Sequence, residues 1–248
     1  MSTLYIVATP IGNLKDITLR ALETLKEVDF IICEDTRVTS KLLAHYEIQK
    51  SLIAYFQHSH LQRVDEIIKR LKQGQNAALV TDAGTPGISD PGGVLVNEVI
   101  KRLSDAVKVV PIPGPCAAIA ALSISGFPTD KFLFLGFPPH KKGRQKFWKR
   151  LIDAEETVVF YESCHRIMKS LNELKQILDS APLRSNNNAE IYSSSEGREA
   201  VVEKSRQVVV CRELTKMFES TYRGTIEEVL KKVTEAPQKG EYTVVVSK

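Results

Sequence analysis

Several features that would fix the class of this 248-residue chain at once are missing from it. Its four cysteines, Cys33, Cys116, Cys164 and Cys211, lie far apart, with no Cys-x-x-Cys pair. That spacing argues against a zinc knuckle and for reduced thiols in a cytoplasm. No apolar run reaches the roughly 18 residues that span a bilayer. The start, Met1-Ser2-Thr3-Leu4-Tyr5-Ile6-Val7, has no basic n-region and reads as a first strand, not a signal peptide. There is no Gly-x-Gly-x-x-Gly and no Gly-x-x-x-x-Gly-Lys-Ser/Thr, so the usual cradle for dinucleotide or ATP phosphates is absent. There is no Gly-x-Ser-x-Gly elbow either, which argues against a serine hydrolase. His58 and His60 find no third ligand at a convincing spacing, so no metal site is expected. Charge of one sign is also scarce: 34 basic residues against 30 acidic ones leave a net +4. That permits nucleic acid binding without requiring it.

What is present is ordinary globular material, 43% hydrophobic and 26% charged. Short apolar runs alternate with stripes at helical spacing. Leu4–Ala8, Phe30–Cys33, Ser51–Phe56, Ala77–Thr81 and Val107–Ile112 read as strands. Stripes through Leu14–Val28, Thr39–Tyr46, Val64–Leu71 and Val94–Leu103 read as helices. This alternation predicts a mostly parallel sheet covered on both faces. The second half repeats the class with different spacing. Its strands are Phe132–Leu135, Thr157–Tyr161, Gln207–Cys211 and Tyr242–Val246; its helices are Gln145–Ala154, Ile167–Leu178 and Ile226–Val233. Pro113-Gly114-Pro115 stiffens the connection, so two α/β domains are expected, residues 1–114 and 115–248. A polar, low-complexity insertion at about 180–206 breaks the second, with a weak strand at Ala200–Val202 that could pair with an edge.

The most informative stretch is Val80-Thr81-Asp82-Ala83-Gly84-Thr85-Pro86-Gly87-Ile88-Ser89-Asp90-Pro91-Gly92-Gly93. It joins a strand to a helix, a task that usually takes about 2–6 residues. Four glycines and two prolines make it stiff and poor in side chains, as suits close approach to a small molecule. Other unusual loops follow the other strands: Thr9-Pro10-Ile11-Gly12-Asn13, Glu34-Asp35-Thr36-Arg37, Gln57-His58-Ser59-His60 and Pro113-Gly114-Pro115-Cys116. In a parallel sheet all five share the carboxyl edge, where ligands of open α/β sheets bind.

Seven ordered strings carry a resemblance over nearly the whole chain outside the insertion. They are the Thr9–Asn13 loop, Cys33-Glu34-Asp35-Thr36-Arg37, Thr81–Gly92, Pro113–Ala117, Phe132-Leu133-Phe134-Leu135-Gly136-Phe137, Phe160-Tyr161-Glu162-Ser163-Cys164-His165-Arg166 and Arg212-Glu213-Leu214-Thr215-Lys216. The set resembles the ribosomal RNA small subunit methyltransferase I family of the tetrapyrrole-methylase superfamily. The resemblance implies two α/β domains of that type with S-adenosylmethionine in the cleft between them. It implies 2′-O-methylation of a cytidine ribose in 16S rRNA of the 30S subunit, and a homodimer. Carried over, it places the cofactor against Thr9 and Pro10, against Gly84, Thr85, Gly87, Ile88 and Ser89, and against Cys116, Ala117, Tyr161 and Leu214. Departures are Cys116 where the family often has Ser, Cys164 where it often has Pro, and Leu61 after His60 in place of Asn. Methylation of a tetrapyrrole or of a modified protein histidine, or RNA binding without catalysis, are the alternatives.

A ribose hydroxyl is a weak nucleophile that a nearby base would help. Asp35 and Glu162 follow strands and are the candidates. Each has a structural reading beside the catalytic one: Glu34 or Asp35 could cap the next helix, and Glu162 could hold Arg166 at i,i+4 spacing. Asp82 and Asp90 are read as shaping their loop. The run Lys141–Arg150 holds six positive charges and no acid, so Lys142, Arg144 and Lys146 are candidate phosphate contacts, with Trp148 packing inward. A solvated helix face is the plainer reading of such a run. Arg37 and Lys216 are further RNA candidates from the loops.

Overall fold

A computed structural model describes residues 1–56, 61–180, 191–193, 199–201 and 206–248. The chain divides into two compact units, Met1–Ala120 and Ala121–Lys248. His58, His60 and most of the polar 180–206 stretch lie outside the described residues.

In the first unit, β1 (Ser2–Val7), α1 (Leu19–Glu27), β2 (Phe30–Cys33), α2 (Thr36–His45), β3 (Ser51–Ala54), α3 (Leu61–Lys72), β4 (Ala77–Leu79), α4 (Gly92–Leu103) and β5 (Val107–Ile112) alternate. The sheet order is β3-β2-β4-β1-β5, and every pairing is parallel. Successive strand residues point to opposite faces. Phe30 and Ile32 therefore pack with Ile67 and Leu71 of α3 and Leu95 and Val99 of α4. Ile31 and Cys33 pack with Ala21 and Leu25 of α1 and Leu43 of α2 on the other side. Burial on both faces is why these strands are continuously apolar. The expected parallel, two-faced sheet is present.

The helix α5 (Ala117–Ser125) crosses the boundary between the units. Its sequence, Ala-Ala-Ile-Ala-Ala-Leu-Ser-Ile-Ser, has no charged face, so no periodic stripe marked it as a helix.

The second unit contains β6 (Phe132–Phe134), α6 (Arg144–Asp153), β7 (Thr157–Ser163), α7 (Ile167–Ser180), β8 (Ile191–Ser193), β9 (Glu199–Val201), β10 (Val208–Arg212), β11 (Ser220–Gly224), α8 (Ile226–Glu235) and β12 (Glu241–Val246). Its five-stranded sheet runs β11-β10-β12-β7-β6. Only β6 and β7 are parallel; the other pairings in this sheet are antiparallel. The second half thus keeps the α/β class but not the parallel sheet of the first. The reason is local: the loop between β10 and β11 is too short for a crossover, and antiparallel neighbours need none. The weak strand near Ala200–Val202 exists as β9, and it pairs with β8, not with the edge of the large sheet.

The core of this unit sits between the sheet and α6, α7 and α8. Trp148, Leu151, Ile167, Leu171, Leu174, Val229 and Val233 pack on Val158, Phe160, Val210 and Val244. A chain of charges fastens its rim. Glu162 on β7 is 1% exposed. It accepts from the Ser163 amide at 2.8 Å, from Arg166 at 2.9 Å and from Ser170 Oγ. Ser170 Oγ accepts in turn from Arg144 Nη2 at 2.8 Å, and Arg144 Nε donates to Glu173 at 2.7 Å. Glu173 also accepts from Trp148 Nε1 at 2.8 Å. Removing one member of a buried ionic set leaves its partners desolvated and unmatched, at a cost of about 3–5 kcal/mol. Glu162→Ala should therefore lower the unfolding free energy by about that amount in urea titration. A loss below about 1 kcal/mol, the scale of an exposed pair, would show that the network does not hold the unit.

Candidate functional site

Because β1 to β5 are parallel, the loops after β1, β2, β4 and β5 leave the first sheet at one edge. They are tied to one another there. The Thr9 amide donates to Gly84 O at 2.9 Å, and the Gly84 amide donates to Thr9 O at 3.1 Å. Thr9 Oγ1 donates to Thr81 O at 3.0 Å, and Thr85 Oγ1 donates to Pro115 O at 3.1 Å. Gly84 takes φ +86°, a left-handed value that a side chain would strain. Asp90 closes the long loop on itself. Its carboxylate accepts from the amides of Gly87, at 2.8 and 2.9 Å, and of Gly92, at 2.7 Å. A Cβ on Gly92 would lie 2.8 Å from Asp90 Oδ1, so only glycine fits. Asp90 shapes the loop, and Asp82 does the same by accepting from the Asp35 amide at 3.2 Å.

The edge brings Thr9, Pro10, Gly84 to Ser89, Cys116 and Ala117 into one region of the first unit, though not in the same way. Thr9 is 1% exposed, and its hydroxyl, amide and carbonyl are all engaged inside the protein. It braces the loops and offers a ligand no polar side-chain group. Ile88 is 44% exposed and presents an apolar wall.

Four carboxylates share this edge, and each is held differently. Asp35 caps α2 by accepting from the Arg37 amide at 2.8 Å, and Arg37 Nη2 donates to it at 2.6 Å. The hydrogen bonds from Arg37 lower the Asp35 carboxyl to about 2. A group that acidic is a poor proton acceptor, which favours the capping reading of Asp35 over the catalytic one. Glu34, one residue earlier, is the reverse case. Burial raises its pKa, repulsion from Asp82 raises it further, and its Oε2 accepts from Thr81 Oγ1 at 3.2 Å. Asp82 is also raised, chiefly by burial. Sequence reasoning weighed Glu34 only as a possible cap of the next helix, beside Asp35. The signal was its place directly after an apolar strand. Burial pushes the Cys211 thiol up to about 11 and the Cys33 thiol up as well, so neither is an activated nucleophile.

In the second unit, Tyr161 lies at the end of β7 against Phe134 and Phe137, with ring centroids 5.0 and 5.5 Å away. Leu214 begins the loop after β10 and is half-buried. Two expectations are corrected here. Glu162 is enclosed by Arg166 and Ser170 and cannot reach a substrate as a base. Arg144 is 7% exposed and spends its guanidinium on Glu173, Ser170 and Pro139 O, so it is not a phosphate contact. Lys216 already has two carboxylates, Glu213 at 2.8 Å and Glu241 at 2.9 Å. Lys142 and Lys146 remain exposed, while Trp148 packs inward at 3% exposure. Arg37 is exposed along its side chain but paired with Asp35. Among the described residues no His, Cys, Asp and Glu cluster could hold a metal ion.

A family model described as Tetrapyrrole (Corrin/Porphyrin) Methylases matches residues 3–230. A ribosomal RNA small subunit methyltransferase I from Halalkalibacterium halodurans is 42% identical over 245 residues, which cover 98% of this chain and 75% of that one. The protein of that name from Thermotoga maritima is 38% identical over 247 residues, covering 100% of this chain and 99% of the relative. The chain belongs to the tetrapyrrole methylases, in the branch of ribosomal RNA small subunit methyltransferase I. The fold agrees. A crystal structure of diphthine synthase superposes with a TM-score of 0.67 at 14% identity, covering 100% of this chain and 90% of that one. Uroporphyrin-III C-methyl transferase from Thermus thermophilus, complexed with S-adenyl homocysteine, gives a TM-score of 0.61 at 16% identity, covering 98% and 97%.

Membership of the tetrapyrrole methylases does not by itself say how the edge is charged, and the Asp35–Arg37 pair decides part of it. The Asp35 carboxylate contributes its stabilisation while ionised. That contribution is complete above the usual Asp value near 3.9 and is lost as pH falls through about 2. NMR titration should find Asp35 near 2 in this protein, and Arg37→Ala should return it toward about 3.9. An Asp35 titration unchanged by Arg37→Ala would refute the pairing.

Proposed function

We propose that this chain transfers the methyl group of S-adenosylmethionine to the 2′-hydroxyl of a cytidine in 16S rRNA. Its substrate is the 30S subunit, its place the cytoplasm, and its working form a homodimer. The observation that carries this reading is the identity of about 40% with relatives named for small-subunit rRNA methylation, over nearly the whole chain.

The first unit's edge fits such a donor. It offers stiff glycine-proline loops and apolar surface, and it lacks a phosphate cradle. Its excess of carboxylates, Glu34, Asp35, Asp82 and Asp90 against Arg37, would repel a phosphate and attract a sulfonium cation. When bound, S-adenosylmethionine supplies a methyl group already activated by that positive charge. The protein's own task is then to orient and to take up a proton. The loop from Gly84 to Ser89, with Pro10, Cys116 and Ala117, holds the donor. Tyr161 and Leu214 are further candidate donor contacts that the family resemblance implies.

Glu34 accepts the ribose hydroxyl proton. Its raised pKa brings it closer to neutrality than Asp35, and the Thr81 hydroxyl steadies it. Asp35 and Arg37 position the start of α2. Lys142 and Lys146 meet the RNA backbone.

A mass map of 16S rRNA with and without the protein decides the central reading: a new 2′-O-methylcytidine is expected. Methylation of a tetrapyrrole in place of 30S subunits would overturn it. Glu34→Gln should lower kcat by about a hundredfold and remove the acid limb of the pH profile. Asp35→Asn should cost less, and the reverse order would return the base to Asp35. Lys142→Ala with Lys146→Ala should raise KM for 30S subunits and reduce the salt slope by about one per lysine. An unaltered salt slope would leave the run as a solvated face.

A further inference from the structure

The loop between β10 and β11, residues 213–219, is not used by the account above beyond Leu214. It is held with unusual firmness. Glu213 and Thr215 adopt φ of 53° and 67°, left-handed values costly for any residue but glycine. Lys216 Nζ bridges Glu213 and Glu241. The Thr215 amide donates to Glu219 at 2.6 Å, and the Glu213 amide donates to Glu241 O at 2.9 Å. At the tip of this braced loop stand two large apolar side chains, Met217 at 90% exposure and Phe218 at 66%.

Strand direction places the loop on a shared edge of the second sheet. β6 and β7 are parallel, β12 runs against β7, and β10 runs against β12. The ends of β6, β7 and β10 therefore lie together. The loop after β6 brings Phe137, 48% exposed, and the exposed Lys141 and Lys142, which no ion pair holds among the described residues. In the Phe218 loop Glu213 is paired with Lys216, and Glu219 accepts from the Thr215 amide and keeps its charge. Lys141 and Lys142 place two exposed lysines on the same sheet edge as an exposed aromatic ring on a rigid stem. Proteins that read single-stranded RNA stack splayed bases on such rings and take the phosphates with lysine.

We infer that Phe218, flanked by Met217, is a base-stacking residue that holds a nucleotide of the single-stranded rRNA substrate. The inference rests on the RNA substrate proposed above. It makes the braced loop a substrate-positioning element, distinct from the cofactor loops of the first unit.

The test uses the full chain, S-adenosylmethionine and 30S subunits. Three variants are compared: Phe218→Ala, Phe218→Leu and Phe218→Tyr. Phe218→Ala should raise KM for 30S subunits by about tenfold, with S-adenosylhomocysteine affinity by calorimetry held within about twofold. Phe218→Tyr should restore KM, because it keeps the ring, and Phe218→Leu should not. Equal rescue by leucine would overturn the inference in favour of an apolar contact with a protein. Loss of a dimer in Phe218→Ala, seen by sedimentation, would overturn it in favour of a contact between copies. An unchanged KM in Phe218→Ala would overturn it outright. A wild-type protein inactive on 30S subunits would sink the RNA reading itself, an outcome visible before any variant is made.

Discussion

Two backbone hydrogen bonds between Thr9 and Gly84 set the course of the whole carboxyl edge in the first unit. β1 and β4 are neighbours in the sheet, so the loops that follow them leave side by side. A long glycine-rich loop would ordinarily wander, since loops lack the paired backbone of regular elements. Here the reciprocal pair pins it at Gly84, Thr85 pins it to Pro115 O, and Asp90 fastens its far end to the amides of Gly87 and Gly92. The rigidity is therefore made by backbone groups and short side chains. Apolar surface such as Ile88 is left exposed.

The second unit solves the same problem with charge. Its loops leave an edge whose base is crossed by the Glu162, Ser170, Arg144 and Glu173 chain. A buried carboxylate is stable only when its lone pairs are matched, so Glu162 must be surrounded and cannot also serve a substrate. Lys216, paired with Glu213 and Glu241, braces the 213–219 loop. Among the described residues, Glu34 after β2 and the exposed Lys142, Lys146 and Phe218 in the second unit stand outside these networks.

Much of the fold was legible in the sequence because periodicity reports burial. Phe30–Cys33 is apolar at every position, and a strand buried on both faces must be. The α7 stripe of Ile167, Leu171 and Leu174 is equally plain. α5 was not legible, since a helix with no charged face gives no contrast to read. β11, Ser-Thr-Tyr-Arg-Gly, was not legible either, because an edge strand that is only half-buried need not alternate. The glycine-proline string was plain in the sequence as an unusually long and stiff strand-to-helix loop. The states of the polar candidates were not plain: Asp35 and Glu34 are adjacent in sequence, yet one is driven acidic by Arg37 and the other is raised by burial.

The sequence by itself determined the α/β class, the order of the loops and the family. These follow from patterns a few residues long, and local sterics and burial enforce them. Only the tertiary structure decided which charges are spent. Arg144 lies in a run of six cations that look alike in sequence, but Ser170 and Glu173, more than twenty positions away, bury it. Exposure and pKa depend on partners brought close by folding, and no local pattern encodes them.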